Sequence, residues 1–211
     1  MTALCPRGLH VLADAAPGWR HDPVAQARAA CEGGARVVQL RAKSATDREA
    51  LAWGREIRAL TRERGVGFVV NDRADWALAC AADGVHLGQE DLAPGDLPDW
   101  IRARLAVGRS THGPTQARHA VSEAPDYIAY GPLFDTASKD TGYGPRGLDA
   151  LREIVAIAGE RPVVAIGGID AERARSAIRA GAAGVAVISA VAAAADPVAA
   201  TRALVDAIGS A

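Results

Sequence analysis

Val163-Val164-Ala165-Ile166-Gly167-Gly168-Ile169 is an apolar run that ends in two glycines. No polar residue breaks the first four positions, so a strand here would be covered on both faces, as in a parallel sheet lying under helices. The glycines turn the chain directly into a segment of helical period, from Ala171 to Ala180. Working outward, the same strand, turn and helix recur along the whole chain. Further strands are predicted at Leu9 to Ala13, Val37 to Leu40, Gly67 to Val70, Gly84 to Leu87, Ala106 to Gly108, Tyr127 to Tyr130 and Gly184 to Ile188. Helices are predicted from Pro23 to Glu32, Asp47 to Arg64, Arg73 to Cys80, Leu97 to Arg104, Pro114 to Ala124, Leu148 to Ala158 and Pro197 to Ile208. The alanine-rich stretch Ala190 to Ala195 reads as a tight turn into the last helix. Eight βα units close into a (β/α)8 TIM barrel. A doubly wound open sheet is disfavoured, because no GxGxxG follows the first strand.

Composition narrows the class of partner. The 211 residues, 49% of them hydrophobic, suffice for one sizeable core, and residues 1–211 are expected to form a single domain. Lys plus Arg number 24 against 25 Asp plus Glu, which gives no broad basic field for nucleic acid or a membrane surface. Small-molecule chemistry is the expectation, with homo-oligomers left open. Cys5, Cys31 and Cys80 are odd in number and lack CxxC spacing, so neither a disulfide framework nor a zinc site is suggested. With no apolar run of membrane-spanning length, a cytoplasmic protein is expected.

Chemistry in such a barrel gathers at the C-terminal ends of the strands. In Gln39-Leu40-Arg41-Ala42-Lys43, alternation points Gln39, Arg41 and Lys43 the same way, toward the mouth. Arginine grips two oxygens at once and lysine adds a compact charge, a pair suited to a diphosphate. The third strand ends in Asn71-Asp72 and the fourth is followed by Gly88-Gln89-Glu90-Asp91, so adjacent strands each deliver a carboxylate. Mg²⁺ takes one or two carboxylates and fills its shell with water and phosphate oxygens, which makes Asp72 and Asp91 the predicted ligands. Singly, Asp72 also reads as a helix cap before Arg73, and Asp91 as a turn residue.

Ser110 could bond a phosphate oxygen or cap the helix near Pro114. His86 and His112 lie at or near strand ends, where a lone histidine is more often a packed polar residue than a catalyst. The long loop after the sixth strand offers Thr136, Ser138 and Lys139, two hydroxyls and a cation. Gly167-Gly168 and Ile188-Ser189 precede helices almost at once, the usual setting of a phosphate site after strands seven and eight. No Ser/His/Asp or Cys/His set assembles, so leaving-group stabilisation is expected rather than covalent catalysis.

The motifs Gln39 to Lys43, Asn71-Asp72-Arg73, Gly84 to Asp91, Gly131 to Lys139 and Ala165 to Ile169 together resemble those of the thiamine phosphate synthase family, in family order over nearly the whole chain. The resemblance implies a substitution in which a pyrimidine methylene diphosphate ionises, pyrophosphate leaves with Mg²⁺, and a thiazole nitrogen attacks. It further implies that Gln39, Arg41, Lys43, Asn71, Ser110 and Lys139 hold the pyrimidine diphosphate, with Arg41, Lys43 and Lys139 assisting catalysis. Thr136, Ser138, Gly168, Ile188 and Ser189 would hold the thiazole phosphate, and Asp72 and Asp91 the metal. Threonine is common in the family where Ser138 stands, and Gly142 to Gly147 departs from the usual synthase loop. The related thiazole tautomerases are the nearest alternative, although Pro132 stands where their pattern is similar to Gly-His, and proline cannot move a proton. A barrel that binds thiamine precursors without turnover is the third reading.

Overall fold

The computed structural model describes residues 4–136 and 142–211. Eight parallel strands form a closed barrel in sequence order, β1 (Gly8–Asp14), β2 (Val37–Arg41), β3 (Gly67–Asn71), β4 (Gly84–Leu87), β5 (Ala106–Thr111), β6 (Tyr127–Tyr130), β7 (Val163–Ile166) and β8 (Gly184–Val187), with β8 pairing back to β1. Around it run α1 (Pro23–Gly33), α2 (Asp47–Arg64), α3 (Ala74–Ala79), α4 (Asp99–Arg102), α5 (Pro114–Ser122), α6 (Gly147–Ala158), α7 (Ala171–Arg179), α8 (Ser189–Ala192) and α9 (Pro197–Gly209).

Local chemistry sets several helix ends. Asp22, Asp170 and Asp196 each accept a backbone N–H in the first turn of α1, α7 and α9, and Thr46 with Glu49 forms a capping box on α2. Four expectations are corrected. The predicted fourth helix, Leu97 to Arg104, is instead a 3₁₀ turn at Pro94–Asp96 followed after Pro98 by the single turn of α4, because proline supplies no amide to a continuing ladder. The predicted turn at Ala190 to Ala195 begins inside α8. β5 runs on past Gly108 to Thr111. Finally, α3 starts at Ala74 with Arg73 as its cap residue, so Asp72 is not its cap.

Two apolar clusters follow from strand alternation. Val11, Ala13, Val38, Leu40, Val70, Val85 and Val185 face outward into the layer beneath the helices, the larger core. Leu12, Tyr127, Val164, Ala186 and Ile188 form a smaller inner plug. The inner plug is interrupted by polar residues, since His10, Gln39, His86 and Ser110 are also buried there.

His10 Nε2 donates to the Pro6 carbonyl at 2.9 Å, and the ring meets that of Tyr127 edge-on. Burial drives its pKa down to about 4, opposed by the Pro6 carbonyl. The folded protein therefore refuses a proton that the unfolded chain, near the ordinary 6.5, accepts. Stability should fall as pH drops from about 6.5 toward about 4, by up to a few kcal/mol from this group. His10→Gln should flatten that portion of the pH dependence, read from urea unfolding at pH 7 and pH 4.5; an unchanged slope would refute the assignment.

Candidate functional site

A cleft with an empty volume of about 860 Å³, counting its open mouth, occupies the C-terminal end of the barrel. Of the sequence-predicted residues, Gln39, Arg41, Asn71, Ser110, Thr136, Gly168, Ile188 and Ser189 all line it. Lys43, Asp72 and Asp91 are not among its walls and gather beside it, while Ser138 and Lys139 lie outside the described residues.

Arg41 is positioned by strand register. Asp14 and Arg41 are paired across β1 and β2, and Nη1 of Arg41 donates to Oδ1 of Asp14 at 2.8 Å. Trp19 Nε1 donates to the other carboxylate oxygen at 3.0 Å. Gln26, from α1, bonds both the amide and the carbonyl of Asp14 at 2.9 and 3.0 Å, which closes the end of β1. The Asp14 side chain is 1% exposed and that of Arg41 12%, so this is a buried ion pair whose carboxylate is fully engaged. The arginine is not: its Nε is buried without a hydrogen-bond partner among the described residues. An unspent donor beside a cleft is what an incoming anion would satisfy.

Lys43 was predicted to point into the mouth in step with Gln39 and Arg41. Alternation stops with β2 at Arg41, and Lys43 instead turns to Asp72, Nζ to Oδ2 3.1 Å, with its side chain 53% exposed. Asp72 sits at φ 65°, a left-handed conformation that aspartate tolerates better than most residues and that often marks functional turns. Its carboxyl meets that of Asp91 within hydrogen-bond reach. Asp91 also closes the turn after β4, accepting the Gly88 amide at 2.6 Å, so its predicted turn role holds alongside.

Burial pushes the Asp91 carboxyl above the usual carboxylate range. The Gly88 amide pulls the other way, the facing Asp72 charge adds to the rise, and Lys43 eases it. Two carboxyls in contact need a shared proton or a cation. The donors are oxygens alone, and the described residues hold no group of three or more His, Cys, Asp or Glu able to cage an ion by themselves. That set fits Mg²⁺, which leaves most of its shell to water and phosphate.

On the floor of the cleft Ser110 does not cap α5, which begins at Pro114 with Gly113 as its cap residue and no side-chain cap bond. Its hydroxyl lies 2.9 Å from His86 Nε2, and His86 Nδ1 lies 3.0 Å from the Tyr127 hydroxyl. Gln89, next to the turn of Asp91, donates to the Ser110 carbonyl at 2.5 Å. His112 also lines the cleft, its Nδ1 2.5 Å from the Gly131 carbonyl. Tyr143 stacks on its ring at 4.4 Å, and the Arg146 guanidinium lies 5.0 Å over Tyr143.

Opposite, the loop after β6 runs alongside the end of β7. Leu133 and Phe134 donate to the carbonyls of Ile166 and Gly167 at 2.8 and 3.0 Å. A side chain at Gly168 (φ 63°) would stand 2.3 Å from the Asp135 carbonyl, so only glycine allows this approach, which brings Thr136 and Gly168 to the same wall. Ile188 and Ser189 meet them from the start of α8, where the first amides of a helix have no acceptor of their own.

Sequence reasoning missed Asp14, Trp19, Gln89 and Tyr127. Asp14, Gln89 and Tyr127 act through partners 21 or more residues away, Trp19 acts through Asp14 five residues away, and the one local signal was a charged residue, Asp14, closing the first strand. His86 and His112, read singly as packed polar residues, are wall residues of the cleft.

The family described as thiamine monophosphate synthase matches residues 9–191. The chain is 49% identical over 193 residues to a thiamine-phosphate synthase of Anaeromyxobacter dehalogenans, covering 92% of this chain and 84% of that one. It is 45% identical over 186 residues to that of Chlorobium limicola, covering 87% of each. Among solved structures, the thiamine phosphate pyrophosphorylase from Pyrococcus furiosus superposes with a TM-score of 0.86 at 38% identity, over 96% of both chains. Fold, motif order and likeness over nearly the full length agree: the chain belongs to the thiamine monophosphate synthase family.

Proposed function

We propose that the chain is a transferase of thiamine biosynthesis that joins 4-amino-2-methyl-5-hydroxymethylpyrimidine diphosphate to a thiazole phosphate and releases pyrophosphate. The observation that carries this reading is the facing pair Asp72 and Asp91, with Lys43 beside them, at the edge of a cleft whose far wall is a glycine cradle. It is supported by the names of the relatives, which are thiamine-phosphate synthases.

In this reading Gln39, Arg41, Lys43, Asn71, Ser110 and Lys139 hold the pyrimidine diphosphate, and Thr136, Ser138, Gly168, Ile188 and Ser189 hold the thiazole phosphate. Asp72 and Asp91 would hold Mg²⁺, which when bound supplies positive charge against the diphosphate oxygens. The methylene carbon–oxygen bond breaks with its electron pair going to pyrophosphate, and the thiazole nitrogen lone pair forms the new carbon–nitrogen bond. Arg41, Lys43 and Lys139 would stabilise the departing charge, the electrostatic contribution expected of such a site. No proton transfer by the protein is required, which agrees with Pro132 at the position where a tautomerase would need a proton carrier.

Residues 1–211 are read as one domain acting on small molecules. None of the described helices is long and apolar enough to cross a membrane, and a cytoplasmic setting is part of the proposal.

The deciding experiment supplies purified protein with both substrates. Pyrophosphate release that requires Mg²⁺ and both partners is expected. Thiazole isomerisation without pyrophosphate would replace the reading with a tautomerase, and binding without either reaction would replace it with a sensor.

A further inference from the structure

The polar chain on the cleft floor has a direction. Tyr127 is wholly enclosed, and among the described residues its hydroxyl has one hydrogen-bond partner, Nδ1 of His86, at 3.0 Å. A phenol carries one proton and, when buried, needs an acceptor for it. The proton therefore goes to Nδ1, which must then be the bare nitrogen of a neutral ring. Burial also holds the phenol far above its ordinary range, so it stays a donor. The ring proton is left on Nε2 and points at Ser110 Oγ, 2.9 Å away. Ser110 thus receives a hydrogen bond from the protein, and its own O–H is left for the cleft that it lines.

Space for this contact is built into the neighbouring strand. A side-chain carbon at Gly108 would lie 2.2 Å from Tyr127 Cζ, 2.4 Å from His86 Nδ1 and 2.5 Å from the Tyr127 hydroxyl. Any other residue at Gly108 would drive the two rings apart. The Gln89 bond to the Ser110 carbonyl holds the same residue from its backbone side.

We propose that Tyr127 is a positioning residue: it fixes His86 as the Nε2–H tautomer, which makes Ser110 a hydrogen-bond donor toward a lone pair on an unprotonated ring nitrogen of the substrate heterocycle. The inference deepens the proposed function and rests on it for the identity of that heterocycle. Were the tautomer reversed, Ser110 would give its proton to His86 and offer the cleft an acceptor, which would suit an amino or protonated nitrogen instead. A single buried phenol thus sets which face of the pyrimidine the floor can read.

Two measurements test this. ¹⁵N NMR of histidine-labelled native protein near pH 8 should show His86 with a bare Nδ1 and a protonated Nε2; a protonated Nδ1 overturns the proposal. That readout needs neither substrate nor variant, so it stands even if the synthase reading fails or a variant does not fold. Tyr127→Phe should then mix the two tautomers and raise KM for the pyrimidine diphosphate about tenfold, the scale of one lost hydrogen bond, with KM for the thiazole phosphate unchanged. In a Ser110→Ala background the same change should have little further effect on KM. Additive effects, or equal rises in both KM values, would mean that Tyr127 acts on packing alone and would overturn the proposal.

Discussion

Replacing Asp91 by asparagine is expected to lower turnover at limiting Mg²⁺ by on the order of 10²–10³-fold while leaving the barrel folded. Asparagine keeps an oxygen for the Gly88 amide, so the turn after β4 survives, and what is lost is half of the charge that faces Asp72. Asp91→Ala removes both, and should share the kinetic defect with a slightly looser loop. The measurement is initial rate against Mg²⁺ concentration, with circular dichroism as the control for folding. Burial is the main cause of the raised proton affinity of Asp91 and the facing Asp72 charge adds to it, a contribution that a bound cation would relieve. If the Asp91→Asn enzyme has native rates at every Mg²⁺ concentration, the metal assignment is wrong.

Arg41→Met should be the most destabilising single change at the cleft. It strands the Asp14 carboxylate, which is 1% exposed and, among the described residues, keeps only Trp19 as a side-chain donor. Breaking a buried pair from one side costs about 3–5 kcal/mol, a shift easily resolved in urea unfolding. Activity should vanish with it, because the same guanidinium would grip the diphosphate. The two losses separate in the double variant Arg41→Met with Asp14→Leu. Removing both charges should restore much of the stability and none of the turnover. Recovery of turnover in that variant would take Arg41 out of the binding machinery.

The barrel was legible because strands such as Val163 to Ile166 are apolar on both faces, and Tyr127 to Tyr130 and Val163 to Ile166 were read with their observed bounds. β5 was cut short at Gly108 for a physical reason. Arg109 follows, and a charge in a covered strand looks like the end of one, but here it lies under the helical shell paired with Glu123, beyond the end of α5, at 3.1 Å. A pairing fourteen residues away leaves no local signature. The site divides in the same way. Residues that face the cleft directly, such as Gln39, Arg41, Asn71 and Ser110, follow from strand position and alternation. Residues that hold those in place, such as Asp14 for Arg41 and Tyr127 for His86, become visible only when register brings neighbouring strands together.

Arg109 also reaches the other way, donating through Nη1 to the carbonyl of Gly88, the residue whose amide Asp91 accepts. The segment that carries Asp91 is consequently clamped from behind, by a guanidinium anchored in the outer layer. Its shape is set before any ligand arrives, and association need not spend energy on ordering it. Substitutions on the outside of the barrel, around Glu123, are therefore a route by which cation affinity can be adjusted without touching a residue that meets the substrates.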